Sequence, residues 1–190
     1  MDATTPESLS LSQLADLMYF ASLSRVNGER NSLIIRLIYG HALRLEETLK
    51  LRWRQFDLYR GTLKLTRKNG KQEIVRDVTK QELNALLAVL QAAKEEGCGS
   101  ADDYLFPAAS SKSKHLTRNS IHKMIVKAAQ EADIKQTVNP RILRRSAGMR
   151  VAVKTKDVNA VQKIMRVKRR NNVVQLFPQG APRKQPNPWV

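Results

Sequence analysis

Residues 138–150 read VNPRILRRSAGMR, four arginines within thirteen residues that otherwise carry the marks of a helix start. Pro140 suits the first helical turn, where its missing N–H is not needed and its fixed φ is already helical. Ile142, Leu143, Ala147 and Val151 recur at a spacing that lets them pack on one side. Arg141, Arg144 and Arg145 spread over more than one face of such a helix, so at least one should point toward the core, and Arg144 is the one expected there. Three readings are compatible with the string: a solvated basic face, a phosphate-binding site, or an altered catalytic site.

The surrounding charge narrows the choice. The 190 residues carry a net charge of +17, unevenly placed: residues 135–190 hold 14 Lys and Arg against one acid, Asp157, a net of +13. A field of one sign on one segment points to a polyanion, with nucleic acid the first candidate and an anionic membrane the second. The membrane reading lacks an anchor. No apolar run approaches the roughly 20 residues of a spanning helix, and the N-terminus MDATTPESLSLS is neither basic nor apolar enough for a signal peptide. A single cysteine, Cys98, excludes an internal disulfide and a Cys-rich zinc site, and the three histidines, His41, His115 and His122, are scattered. No metal and no cofactor are expected.

The length suits one domain with a sizeable core, and with aromatics at 5% the aliphatic residues must supply most of it. Residues 8–24 place Leu11, Leu14, Met18 and Ala21 at helical spacing behind serine N-cap candidates. Residues 31–58 contain two more helices, with Leu33, Leu37 and Ile38 on one stripe, Leu45 and Leu49 on the next, and a bend at YGHA, residues 39–42. The period changes over 61–78. Leu63 and Leu65 alternate with polar residues, and Asn69-Gly70 supplies the positive-φ positions of a tight hairpin turn with a basic tip. Helical spacing returns over 79–97, where Leu83, Leu86, Leu87 and Leu90 form a stripe, Thr79 and Glu82 fit a capping box, and Gly97 fits the C-terminus. Residues 97–116 read as a loop anchored by Tyr104, Leu105 and Phe106. A helix over 117–132 turns Ile121, Ile125, Ala128, Ala129 and Ala132 inward. A final helix near 157–168 carries Val158, Val161 and Ile164. The tail 178–190 has four prolines in thirteen residues and no apolar stripe, the composition of a disordered segment. The fold class is therefore mainly α with a small β-hairpin or sheet, one domain over 1–177 and a Pro-rich tail over 178–190.

In this order the pieces resemble the catalytic domain of the tyrosine recombinases, also called phage-type integrases, over roughly residues 8–177. YGHALRLEETLKLRWRQFDL (39–58) is similar to the family's first box. It is followed by a hairpin with a basic tip, a capped Leu helix, DYLFP (103–107), the helix LTRNSIHKMIVKAAQEADI (116–134), and NPRILRRSAGMRVA (139–152), which resembles the second box. The resemblance makes Arg44 the match for the first-box arginine and Glu47 for the buried acid that supports it. It makes Lys68, in KNGK, the match for the catalytic lysine, and Arg144 the match for the second-box arginine.

Several positions depart from the family pattern. Arg141 and Arg145 stand where the family has His or Lys and His, and Arg166-Val167 replaces its Gly-His pair. The nucleophilic tyrosine is due about ten residues later, at Leu176, or at Phe177 with one residue inserted. Tyr19, Tyr39, Tyr59 and Tyr104 all lie far upstream.

Exchanging a phosphodiester through a covalent intermediate needs a nucleophile, donors for charge developing on the phosphoryl oxygens, and an acid for the leaving oxygen. Arg44 and Arg144 meet the second need, since a guanidinium binds phosphate oxygens through a fixed fork, and Lys68 can supply a proton. Leucine and phenylalanine cannot attack phosphorus, and imidazole is missing from the three positions where the family places it. The substitutions add charge instead.

The expectation is a non-catalytic DNA-binding protein, a regulator or architectural factor for a mobile element or a chromosomal locus, cytoplasmic and associated with the nucleoid. Arg44, Lys68, Lys71, Arg141, Arg144, Arg145, Arg166, Lys168, Arg169 and Arg170 would contact duplex phosphates, and Arg44, Lys68 and Arg144 would be vestigial catalytic groups. The family grips DNA with two domains, so half a clamp implies a homo-oligomer on DNA, or a partner recombinase or regulator. The alternative is a small tyrosine recombinase, active or mutated, performing DNA strand exchange.

Overall fold

The computed structural model describes residues 8–25, 27–66, 73–178 and 180. Helix α2 (Gly28–His41) is its axis. Leu33, Ile34, Ile35, Leu37 and Ile38 are all buried, so the helix is apolar around most of its circumference, as befits one packed on by α1 (Leu11–Ser22), α4 (Lys80–Glu95) and α6 (Pro140–Thr155). It ends where Ala42 adopts a left-handed conformation with φ 48°. The expected bend at YGHA thus falls at its last residue. That turn releases the chain into the short helix α3 (Leu45–Leu49).

Local chemistry accounts for the helix starts. Ser10 caps α1, its Oγ accepting from Gln13 N at 3.1 Å while Gln13 Oε1 accepts from Ser10 N at 3.0 Å. Thr79 and Glu82 close the same reciprocal box on α4. Thr117 caps α5 (Arg118–Glu131), and Asn139 caps α6 by accepting from Ile142 N at 3.0 Å, one residue before Pro140.

The hairpin is present as strands β2 (Thr62–Thr66) and β3 (Glu73–Asp77), joined on the β2 side by β1 (Phe56–Asp57) into a three-stranded antiparallel sheet. Leu63 and Leu65 are buried and their neighbours are not, the period-2 signature read from the sequence. The tip with Asn69-Gly70, Lys68 and Lys71 lies outside the described residues, as does nearly all of the tail.

Four readings of the sequence need correction. Leu11 is 70% exposed; Leu9, Leu14, Leu17 and Ala21 form the buried side of the first segment instead. On α4 the buried line is Glu82, Leu86 and Val89, and Leu87 is exposed. Neighbouring stripes of a helix share the same 3.6-residue spacing, so periodicity cannot choose between them; here Glu82 is drawn inward by His41 Nε2 at 3.3 Å. The segment 97–116, read as a loop, contains a two-stranded sheet, β4 (Pro107–Ala108) and β5 (Ser111–His115), with Leu105 and Phe106 buried before it. The last helix stops early: α7 spans Val158–Met165, Arg166 turns left-handed with φ 52°, and a short α8 (Asn171–Val174) follows.

The core has two parts. The larger surrounds α2; the smaller joins the end of α6 to α7 and α8 through Ala152, Val158, Val161, Val173, Leu176 and Phe177.

Candidate nucleic-acid interface

Helix ends leave backbone groups unsatisfied, carbonyls at the C-terminus and N–H groups at the N-terminus. Three such ends meet beside Ala42. The C-terminus of α2 offers the carbonyls of His41 and Ala42, the C-terminus of α7 offers those of Ile164 and Met165, and α3 begins at Leu45 behind its cap residue Arg44. Carbonyl-rich helix ends attract cations. Two arginines fill the space between them.

Arg166 is one. Its Nη1 donates to His41 O at 2.8 Å and to Ile164 O at 3.2 Å, and its Nη2 to Ala42 O at 2.9 Å and to Glu47 Oε2 at 2.6 Å. The side chain is only 1% exposed. Arg144 is the other: Nη1 donates to Ala42 O at 2.5 Å, Nη2 to Met165 O, and Nη1 stands 3.8 Å from Glu47 Oε2. Its side chain is 13% exposed, so it is the second-box arginine that faces inward.

Glu47 occupies the third position of α3, where a carboxylate can reach back to the cap residue. Its Oε2 accepts from Arg44 N at 2.7 Å and its Oε1 from Arg44 Nη1 at 2.7 Å. Arg44 also reaches Arg166 O through Nη2 at 3.3 Å, yet keeps 37% of its side chain exposed. Three guanidinium groups therefore share one carboxylate, leaving two positive charges in excess.

The ionisation equilibria follow. Burial pushes the Glu47 carboxyl up, but Arg166, the backbone N–H of Arg44 and both guanidinium groups outweigh it, so the group sits below its ordinary value. Burial, followed by repulsion from Arg44 and Arg166, pushes Arg144 down to about 10 against the pull of Glu47. It stays charged at neutral pH. Such a site suits an anion arriving from the open side of Arg44, because the excess charge is already assembled in a water-poor surround.

The structure divides the ten cations expected at a phosphate backbone. Arg44 and Arg144 come together as the family resemblance implies. Arg141, Lys168 and Arg169 are exposed, and Arg145 and Arg170 are half-buried. Arg166 leaves the group: its guanidinium is buried on protein carbonyls and Glu47, so the run RVKRR (166–170) is not one solvated strip. Lys68 and Lys71 are outside the described residues.

Leu176 and Phe177, where the resemblance puts the tyrosine, are in the smaller core, Leu176 at 2% exposure and Phe177 buried beside it. Gly148 makes room for Leu176. A Cβ there would stand 2.8 Å from Leu176 Cδ1 and 2.7 Å from Met165 Sδ, closer than carbon and its neighbours tolerate.

The inward role of Arg166 escaped the sequence reading. Its signal was the position itself, a non-glycine where the family has Gly at a helix end, which demands an explanation for the left-handed backbone. Two further cations near α3, Arg118 exposed and Arg52 half-buried, carry no signal in the sequence. Arg118 Nε lies 2.5 Å from Glu46 Oε1, and Arg52 stacks over Tyr104 with its guanidinium 4.0 Å from the ring centroid.

Comparison with known proteins places this arrangement. The phage integrase family matches residues 7–176. Tyrosine recombinase XerD of Staphylococcus aureus is 26% identical over 168 residues, covering 86% of this chain and 55% of that protein. Tyrosine recombinase XerC of Xanthomonas campestris pv. campestris is 28% identical over 138 residues, covering 73% and 41%. The chain thus spans about half the length of the curated relatives it matches. Among solved structures, the fold is similar to XerA recombinase, with a TM-score of 0.78 at 19% identity over 93% of this chain and 61% of that one. It is also similar to the XerH site-specific recombinase bound to its difH substrate, with a TM-score of 0.77 at 21% identity over 90% and 50%. A central apolar helix ending in an arginine-bearing turn, a basic hairpin and a second arginine box thus converge with the family match, and the chain belongs to the phage integrase family.

Proposed function

We propose that this protein is a non-catalytic DNA-binding member of the family that contacts duplex phosphates through Arg44, Arg141, Arg145, Lys168, Arg169 and Arg170, with Lys68 and Lys71 from the hairpin tip, as a regulator or architectural factor. The observation that carries the reading is the pairing of a retained anion-facing cluster, Arg44, Arg144 and Glu47, with an apolar, buried Leu176 and Phe177. Charge for holding a phosphate is present, and no hydroxyl stands at either tyrosine-equivalent position to attack it. Binding through phosphates releases counterions and so weakens steeply with salt, with little sequence preference. Assembly as a homo-oligomer on DNA, or beside a partner recombinase, would multiply these phosphate contacts.

The names of the relatives, all tyrosine recombinases, favour a second reading as an active recombinase. Nicked suicide duplexes separate the two. The protein as it stands, Leu176→Tyr and Phe177→Tyr are each incubated with the duplex and resolved under denaturing conditions. No covalent adduct in any of the three supports the non-catalytic reading; an adduct from the unaltered chain overturns it, and one from a tyrosine variant shows an intact active site lacking only its nucleophile. Gel shifts across salt test DNA contact itself, and a flat salt response ends the phosphate model.

A further inference from the structure

A second cation cluster, bordering the Glu47 site across His41 and Ile164 but made of other residues, is not used by the proposed function. A cleft of about 580 Å³ opens between α1, α2, β3, the start of α4, α6 and α7. Arg36 of α2, Arg76 of β3, Arg150 of α6 and Lys163 of α7 line it. Four cations drawn from four elements are not the solvated face of one helix, where like charges can turn away from each other. Their convergence costs free energy through mutual repulsion, which a bound anion would offset.

The acids in the cleft do not balance them. Glu82 is buried and committed, accepting from Thr79 N at 2.8 Å and Thr79 Oγ1 at 2.9 Å beside His41. Asp77 alone remains exposed there. Donors are also left over: the Nε atoms of Arg36 and Arg76 are buried without a hydrogen-bond partner among the described residues. Arg36 Nη1 is held by Gln81 Oε1 at 3.0 Å and Arg76 Nη2 by Lys163 O at 2.6 Å, which sets both guanidinium groups in place. Arg150 is set by stacking, 4.6 Å above the Tyr39 ring. Leu14, Met18 and Ile164 give the cleft an apolar side, and Thr79 and Gln81 add neutral polar groups. A cleft of this size, with an apolar side and polar groups held in place, has the build of a small-molecule site.

We propose that this cleft binds a small phosphate-bearing ligand, its phosphate held by Arg36, Arg76, Arg150 and Lys163 and its body, where it has one, against Leu14, Met18 and Ile164. Free phosphate and the phosphate of a nucleotide share the recognising chemistry. Isothermal titration of the full chain at low salt with inorganic phosphate, ADP and adenosine distinguishes them. The expected result is saturable binding of ADP or phosphate and none of adenosine; tighter ADP binding identifies a ligand with a body, and equal binding identifies phosphate itself. Arg36→Ala combined with Arg150→Ala should weaken binding at least about tenfold, one charge-assisted hydrogen bond being worth that much. Lys114→Ala with Lys123→Ala, which removes the same charge from exposed positions elsewhere, should leave it unchanged. Lys163→Ala, at an exposed position, serves if the double variant does not fold. Absence of binding, adenosine binding as well as ADP, or equal losses in both double variants overturns the proposal. So does duplex DNA displacing ADP while the Arg36 and Arg150 substitutions weaken the duplex, which would make the cleft part of the DNA surface.

Discussion

Arg166 and Arg169 stand three residues apart in one basic run and live in opposite surroundings. Arg166 closes α7, is 1% exposed, and spends its guanidinium on Glu47 and three backbone carbonyls. Arg169 is exposed, with no helix end to satisfy. Charge of the same sign therefore does two jobs. Around Glu47 it is structural, tying the ends of α2, α3 and α7 together; at Lys168 and Arg169 it is a solvated surface suited to a polyanion. Counting cations along a sequence cannot separate them, because the count ignores which helix ends they meet.

The largest test of the structural half is Glu47→Ala. It would leave three guanidinium groups facing one another without their carboxylate, and removing one partner of a buried ionic cluster costs about 3–5 kcal/mol. Urea unfolding should show that loss. Arg166→Ala against Arg169→Ala sharpens the contrast directly. The first strips Glu47 and the ends of α2 and α7 of a shared donor and should cost about 3 kcal/mol. The second should stay within about 0.5 kcal/mol of the parent. Equal losses would erase the distinction.

Gly148→Ala probes the neighbouring small core. The added methyl must push the ends of the Met165 and Leu176 side chains aside, an overpacking cost of about 1–3 kcal/mol that the better helix propensity of alanine offsets by about 1 kcal/mol, and the same unfolding assay reads the net loss. Acidification tests Glu47 from another side. Its carboxyl lies below the ordinary value of 4.5 when folded, so it contributes stability that is present above that value and lost as pH falls through the folded one. Glu47→Gln should flatten that part of the stability-pH curve. The smallest effect is on binding: Arg169→Ala should lower the slope of log affinity against log salt for duplex DNA by about one, whereas Lys123→Ala, away from the proposed contacts, should not.

Much of the fold is local chemistry and was legible. Ser10 with Gln13, Thr79 with Glu82 and Asn139 with Pro140 are start signals whose partners lie within three residues, so the chain carries them wherever it goes. The alternation of Leu63 and Leu65 likewise declares a strand. Misreadings came where two local solutions are equivalent until packing decides. Leu87 and Val89 both fit a helical stripe, and only His41 beneath Glu82 selects the face. The strands β4 and β5 are short and polar, so neither period nor propensity announces them.

The candidate site divides along the same line. Arg44, Glu47 and Arg144 were identifiable from the family-like boxes, because Glu47 sits one turn from Arg44 and Arg144 falls on the inner side of its helix. Arg166 was not, since its partners His41 and Ala42 are 125 and 124 residues away. Capping, periodicity and net charge are properties of neighbours in the chain, and they determine a mostly helical, basic, integrase-like domain. Which cation is buried, which face of α4 turns inward, and that Leu176 and Phe177 are core depend on groups that only meet once α2, α6 and α7 have packed. Their free energies come from desolvation and contact across the fold, and those terms do not exist until the fold does.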